Sequence, residues 1–345
     1  MAGGERIPVA VLGATGYVGA ELLRVLSRHP QVEIVLVSSE QYRGRHASDV
    51  YPALRGFVDR ELEAPDPDAA AARARVVFTA LPHGASAAIV AQLRARGAIV
   101  VDQSADFRLR DLEVYAKWYG GGHPAPELVR EAVYGIPELY RPALRTTKLV
   151  AVPGCYPTCA LLGLVPLARA GLVREPVVID AKSGTTGAGR GAKVEQLFAE
   201  VNEDVRPYAV AGHRHAPEID QELAAAGATG GALFLPHLVP VSRGMVCTTY
   251  VRVASPPPLA ELFERAYAQE PFVVLRGEEP PTMREVRGTN RCAIGWRYDR
   301  ATGHAVVMTA LDNLGKGAAG VAVQCMNVVL GLPETTGLDA PGLVP

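Results

Sequence analysis

Cysteine is scarce in this sequence. Five residues, Cys155, Cys159, Cys247, Cys292 and Cys325, are too few and too scattered for a disulfide framework, and their odd number leaves one over in any pairing. An excess of charge is absent as well: 35 Lys and Arg against 36 Asp and Glu leave a formal net charge of −1. A nucleic-acid-binding chain carries a basic surplus on at least one face, so that class is set aside. Residues 1–6 lack the apolar core of a signal peptide. Unbroken apolar runs are missing too. Residues 149–168 carry no charge and have the length of a membrane span, but Pro153, Gly154, Pro157, Gly163 and Pro166 interrupt them, which fits a buried strand, loop and helix. These absences point to a reducing, cytoplasmic setting with no membrane or nucleic-acid partner.

What is present is an ordinary folded composition, 48% apolar and 21% charged, in a chain of 345 residues, enough for two domains. Glycine (35) and proline (27) exceed average usage without any fixed period, so tight turns and close backbone approaches are expected. Residues 7–12 form an apolar run of strand length, the glycine turn 13–19 follows, and Leu22, Leu23, Val25 and Leu26 mark a helix face. Further strands are expected at 32–37, 76–81 and 98–102, with a helix at 85–96. This alternation predicts a doubly wound, Rossmann-type parallel sheet.

Beyond Gly154 the texture becomes β-rich, with strands at 177–181, 232–235, 248–253 and 304–310. The expected fold class is therefore α/β: a doubly wound domain plus a second α+β domain with a mainly antiparallel or mixed sheet. A closing helix over 317–332 is expected to return to the first domain. The boundaries are 1–150 with 314–345 for dinucleotide binding, and 151–313 for catalysis, substrate and dimerisation.

In Gly13-Ala14-Thr15-Gly16-Tyr17-Val18-Gly19, bare backbone between strand and helix lets a pyrophosphate reach a helix N-terminus. The glycine spacing differs from the commoner G-x-G-x-x-G, and glycine also serves plain turns, so the flanking strand and helix carry the inference. Ser38 and Ser39 end the second strand with Arg43 and Arg45 nearby, a small, polar and basic set that favours NADP over NAD. Glu40 counts against it, and a solvated loop is the alternative.

Cys155 lies between a strand ending and a helix beginning, with Pro157 suited to the helix's first turn. A thiol at a helix N-terminus ionises more readily than a free one, whereas Cys159, one turn on, reads as core. In Gly212-His213-Arg214-His215-Ala216-Pro217-Glu218, two histidines precede a Pro-initiated helix. Histidine can activate a thiol and protonate a developing oxyanion near neutral pH. A zinc site from Cys155, Cys159, His213 and His215 competes with this reading but matches no zinc signature, and no metal is expected.

With these motifs the chain resembles, over essentially its whole length, the N-acetyl-gamma-glutamyl-phosphate reductases, NADPH-dependent oxidoreductases of arginine biosynthesis related to aspartate-semialdehyde dehydrogenases. The resemblance rests on the glycine turn, Leu81-Pro82-His83-Gly84, Ser104-Ala105-Asp106-Phe107-Arg108, Pro153-Gly154-Cys155-Tyr156-Pro157-Thr158, residues 212–218, and the segment from Asp312 to Gly320. It implies attack by Cys155 on the acyl phosphate of N-acetyl-glutamyl phosphate, a thioester, and hydride reduction to the semialdehyde. It also implies Ser104 and Arg108 at the phosphate, and Arg243 at the substrate carboxylate. Met245 stands where the related dehydrogenases carry a histidine, which moves the acid/base to His213 or His215. His213 is favoured, with His215 and Glu218 in support. Cofactor contacts from Ser183, Gly184, Asn313 and Gly315, and a homotetramer, are implied as well.

Two rivals remain. A sister reductase of lysine biosynthesis acts on an aminoadipyl phosphate held by a small acidic carrier protein and shares most of these motifs. An NADP-sensing protein of the short-chain dehydrogenase type would suit the glycine turn, but none of the twelve tyrosines has a lysine four positions on, which excludes an active member.

Overall fold

The computed structural model describes residues 6–343; the reading of residues 1–5 as free of a signal peptide lies outside them. The chain divides into two compact units, one of Met1–Pro153 with Ala318–Ala340, the other of Gly154–Gly317 with Pro341–Pro345.

The first unit holds a seven-stranded sheet of β1 (Ile7–Leu12), β2 (Val32–Ser38), β3 (Leu62–Glu63), β4 (Val76–Thr79), β5 (Ile99–Asp102), β6 (Val133–Tyr134) and β7 (Leu149–Ala151) in the order β3-β2-β1-β4-β5-β7-β6. Every pairing in it is parallel. Parallel strands are covered on both faces, which explains why β4 is buried at all four positions, three of them apolar and the fourth Thr79. The order reverses between β2 and β4 on either side of β1. The carboxyl end of β1 is thus a topological switch point, where open α/β sheets bind ligands.

The regular closing helix runs over Gly320–Leu330, starting later than expected because residues 315–319 form a π-helical turn first. Buried from Gly320 to Val328, it packs on helices Tyr17–Leu26 and Pro137–Leu144. Its buried polar groups are satisfied. Asn327 Nδ2 donates to the carbonyls of Glu334 and Thr336, and its Oδ1 meets His29 Nε2 at 3.0 Å. The N–H of Gln31 donates to His29 Nδ1, so the His29 proton resides on Nε2. Burial lowers the affinity of His29 for a second proton.

In the second unit a mixed sheet runs β12-β13-β14-β11-β8-β10-β9, from β8 (Val177–Ser183), β9 (Arg206–Pro207), β10 (Ala232–Leu238), β11 (Met245–Arg252), β12 (Val273–Gly277), β13 (Cys292–Asp299) and β14 (His304–Leu311). Its centre, β8-β11-β14-β13, is antiparallel, with parallel pairs at β8–β10 and β12–β13. Strands β8 and β10 run to Ser183 and Leu238, past the ends expected from their apolar residues, because their mutual ladder continues through Lys182 and His237. Two-residue strands such as β9 carry too little periodicity to be read from sequence.

Helix Cys155–Arg169 is buried from Tyr156 through Ala168. An all-round apolar helix belongs inside a core, and this one lies on β11 and β14 with helix Ala216–Ala225 beside it. Each of its buried leucines contributes about 1.5–3 kcal/mol. At Gly163 the approach is close: a Cβ would sit 2.9 Å from Thr309 Cγ2.

Candidate active site

In the first unit the glycine turn joins β1 to helix Tyr17–Leu26, whose first turn carries no acidic side chain. The three glycines differ. Gly13 has φ +83°, and a Cβ there would lie 2.3 Å from the Ala80 carbonyl oxygen; a Cβ on Gly19 would lie 2.2 Å from the Gly13 carbonyl oxygen. Both are glycine because the fold requires it. Gly16, the helix N-cap, has ordinary extended φ and ψ, and a Cβ would meet only the Gly13 carbonyl oxygen, at 3.8 Å. The protein's own packing does not require its bareness, which would let a pyrophosphate approach the helix amides. The residues present therefore fit a dinucleotide.

The loops around this turn are tied together. The N–H of Gly13 donates to Ser38 Oγ at 3.3 Å, the Thr15 and Ser39 hydroxyls share a 2.7 Å hydrogen bond, and Tyr51 donates to the Thr15 carbonyl at 2.9 Å. Ser38 and Ser39 are buried, so they shape the loop, while Arg43 and Arg45 are exposed, with Arg45 over the Tyr42 ring. Tyr17 and Val18 begin the helix itself.

Two carboxylates organise the motifs at 81–84 and 104–108. Asp102 is fully buried and accepts from the hydroxyls of Thr79, Ser86 and Ser104, each at 2.6 Å; burial raises its pKa and the three donors oppose the rise. Asp106 accepts from the N–H groups of Gly84 and Ala87 and from the Tyr115 hydroxyl. Ser104, expected beside the substrate phosphate, is instead fully buried, donating to Asp102 and accepting from the Asp106 N–H. Arg108 donates from Nε to the Val152 carbonyl at 2.7 Å and from Nη2 to the Gln103 carbonyl at 2.8 Å, which fixes its guanidinium plane.

In the second unit Cys155 is the first residue of its helix, capped by Gly154. It is partly exposed, while the other four cysteines are buried and all five are free thiols. Cys159 is core, its Sγ 3.2 Å from Thr309 Oγ1. Negative charge on sulfur is favoured at such a helix end. The N–H of Gly154 donates to Glu218 Oε1 at 2.9 Å. Glu218, 1% exposed, thus fixes the backbone that carries the thiol.

The geometry separates the two histidines. His215 lies against Gly154: a Cβ added there would fall 2.4 Å from His215 Nε2. His213 stands behind it in an aromatic cluster, with ring centroids 4.7 Å from His215, 5.3 Å from Phe234, and 5.6 Å from both Tyr156 and Tyr208. Its Nδ1 accepts the N–H of His215 at 3.0 Å. Burial, aided by the charge of Arg214, lowers the His213 pKa to about 4, so it is neutral at pH 7. Tyr208 donates to the Tyr156 hydroxyl at 3.1 Å, and the desolvated Tyr156 hydroxyl donates on to the His237 carbonyl. No motif announced Tyr208 or Phe234; they are recruited by the sheet.

Ser183, Gly184, Asn313 and Gly315, expected at the cofactor, brace one another and their neighbours. Ser183 donates to the Gly184 carbonyl, and Gly184 packs on the 241–243 backbone, where a Cβ would lie 2.7 Å from the Val241 carbonyl oxygen. Asn313 accepts from the Gly244 N–H and donates to Thr186. A Cβ on Gly315 would lie 2.2 Å from the Thr289 carbonyl oxygen. Arg243 donates from Nε to buried Asp312. Among the described residues no group of three His, Cys, Asp or Glu side chains is arranged to hold a metal ion, and no helix is long and apolar enough to cross a membrane.

Comparison with known proteins gives concordant results. Residues 8–147 match the family described as semialdehyde dehydrogenase, NAD binding domain, and residues 155–313 match the semialdehyde dehydrogenase dimerisation domain. The chain is 49% identical to a protein of Moorella thermoacetica over 98% of this chain and 100% of that one, and 50% identical to one of Geobacter sp. over 96% and 98%. Both relatives are named N-acetyl-gamma-glutamyl-phosphate reductase. The structure resembles aspartate semialdehyde dehydrogenase II of Vibrio cholerae, with TM-score 0.73, 18% identity, and coverage of 95% of this chain and 99% of that one. The aspartate semialdehyde dehydrogenase of Candida albicans, solved with NADP, gives TM-score 0.71 at 16% identity, covering 94% and 99%. These likenesses establish the fold.

Proposed function

The chain belongs to the N-acetyl-gamma-glutamyl-phosphate reductases of the semialdehyde dehydrogenase family, and on that premise we propose that Cys155 is its nucleophile and His215 its acid/base. The activity is NADPH-dependent reduction of N-acetyl-L-glutamyl 5-phosphate to N-acetyl-L-glutamate 5-semialdehyde and phosphate, a step of arginine biosynthesis. The observation that carries the assignment is His215 Nε2 lying against Gly154, the residue before Cys155.

The chemistry follows from that placement. Cys155 surrenders its proton to His215 Nε2 as the helix N-terminus stabilises the developing thiolate. The sulfur attacks the acyl carbon, a C–S bond forms, the C–O bond to phosphate breaks, and a thioester remains on Cys155. When bound, NADPH supplies the hydride that reduces this thioester to a thiohemiacetal. His215, now protonated, is placed to give its proton to the developing oxyanion. Collapse of the thiohemiacetal releases the semialdehyde and returns the thiol. His213, kept neutral and bonded to the His215 backbone, holds its neighbour in position, and Glu218 anchors Gly154.

In the first unit, Gly13, Thr15, Gly16, Tyr17 and Val18 would hold the cofactor's pyrophosphate side, and Ser38, Ser39 and Arg43 would contribute the polar and basic groups that favour NADP. Arg108, its plane fixed by two carbonyls, is the phosphate group's partner, a preorganised cation of the kind that stabilises charge in transfer reactions. Arg243 receives the substrate carboxylate. We read the enzyme as a cytoplasmic homotetramer; the dimerisation-domain match over 155–313 supports self-association.

The direct test runs the reaction in reverse: phosphate-dependent reduction of NADP by N-acetyl-glutamate semialdehyde, comparing the natural chain with Cys155→Ser. Turnover in the natural chain and its loss in the variant are expected. Substantial turnover in the variant would reject the covalent route.

A further inference from the structure

We propose that the dipeptide Asp312-Asn313 is a positioning device for the substrate, through which Arg243 is set relative to Cys155. The proposal rests on the reading of Arg243 as the carboxylate ligand and adds the group that aims it. Asp312 is completely buried just past the end of β14, yet its carboxylate gathers four donors, one guanidinium and three backbone N–H groups. Arg243 Nε donates to Oδ1 at 3.2 Å and Oδ2 at 3.0 Å, Gly288 N–H to Oδ2 at 2.6 Å, and the N–H groups of Leu314 and Gly315 to Oδ1 at 2.9 and 3.1 Å. A buried carboxylate so surrounded is held in one orientation, and a guanidinium bonded to it inherits that orientation.

Asn313 controls the same turn from its backbone side. Its Oδ1 accepts the Gly244 N–H at 2.8 Å, directly after Arg243, and its Nδ2 donates to Thr186 Oγ1 at 2.9 Å, which in turn donates to the Ser242 carbonyl at 2.6 Å. Side chain and backbone of Arg243 are thus gripped by adjacent residues. The same peptide reaches the nucleophile: the Asp312 carbonyl accepts the Gly317 N–H at 2.9 Å, and a Cβ on Gly317 would lie 2.8 Å from the Cys155 Cβ. One rigid turn therefore spans the carboxylate ligand and the wall of the attacking thiol.

Asp312→Asn is the informative variant: its single amide oxygen can still accept the Leu314 and Gly315 N–H groups, while the charge that orients Arg243 and the second oxygen, which accepts the Gly288 N–H, are gone. In the reverse assay it is expected to raise the KM for N-acetyl-glutamate semialdehyde by roughly tenfold or more with a smaller change in kcat, and to leave the KM for phosphate within about twofold. In an Arg243→Ala background the same substitution is expected to add nothing, because its effect passes through the missing guanidinium. A further loss in that background, or equal rises in both KM values, would overturn the proposal. If Arg243→Ala itself leaves the semialdehyde KM unchanged, the carboxylate role of Arg243 fails, and the proposal with it, by a result the Asp312 variants cannot mimic. Should Asp312→Asn not fold, Arg243→Lys serves in its place: a lysine cannot reproduce the Nε contact, and the same selective rise in semialdehyde KM is required.

Discussion

His215 Nε2 occupies the space that a side chain at Gly154 would need, 2.4 Å from an ideal Cβ. The glycine before Cys155, the proposed nucleophile, is therefore a requirement of the imidazole. Gly154 has φ −66° and ψ 152°, a conformation alanine adopts freely, so Gly154→Ala introduces no backbone strain. The methyl must displace His215, and kcat is expected to fall by roughly a hundredfold or more. Circular dichroism and steady-state kinetics on the same preparation check this; an active, folded variant would remove His215 from the mechanism.

The two histidines are expected to fail differently. His215→Gln removes the proposed proton acceptor, and kcat is expected to drop by roughly 10²–10⁴-fold. His213→Gln is expected to lose much less activity and to change the acid stability. His213 is held neutral, with its pKa lowered from 6.5 to about 4. Below about pH 6.5 the unfolded chain takes up a proton that the folded chain refuses, so stability falls as pH drops from 6.5 toward 4. His29, also lowered by burial, acts with the same sign. Melting temperatures at pH 7 and pH 5 should therefore differ less in His213→Gln than in the natural chain.

Substitutions in the glycine turn are expected to separate cofactor binding from folding. Gly16→Ala is expected to leave the melting temperature nearly unchanged and to raise the KM for NADPH by roughly tenfold. Gly19→Ala places a methyl 2.2 Å from a carbonyl oxygen and is expected to cost about 1–3 kcal/mol of stability or more. Equal destabilisation by both would mean that Gly16 too is a packing residue.

Much of this was legible from residues. The strand, glycine turn and helix at 7–26 carry strong periodicity, and Cys155 announced itself by Pro157 and the apolar helix behind it. What was not legible is the direction of side chains. His213 and His215 are two positions apart, and only the fold shows that one faces Gly154 while the other is caged by Phe234 and Tyr208. Likewise Gly184 and Gly315 have the composition of a ligand loop, but the carbonyls that force their bareness come from residues 241 and 289, remote in sequence. Asp312 opens the motif that runs to Gly320, yet its partners Arg243 and Gly288 meet it only through the sheet.

Thiol accessibility offers a simple check. Cys155 is the one cysteine not buried. Mild iodoacetamide followed by peptide mass spectrometry should alkylate it first; comparable labelling of all five would contradict both its exposure and its activation.

We propose that the acyl group passes through Cys155. Mixing the enzyme with N-acetyl-glutamyl phosphate in the absence of NADPH, quenching in acid and mapping peptides by mass spectrometry tests it most directly. An N-acetyl-glutamyl thioester is expected on the peptide bearing Cys155, discharged when NADPH is added before the quench and absent in Cys155→Ser. An enzyme that turns over normally but shows no adduct, or carries it on another residue, would contradict it.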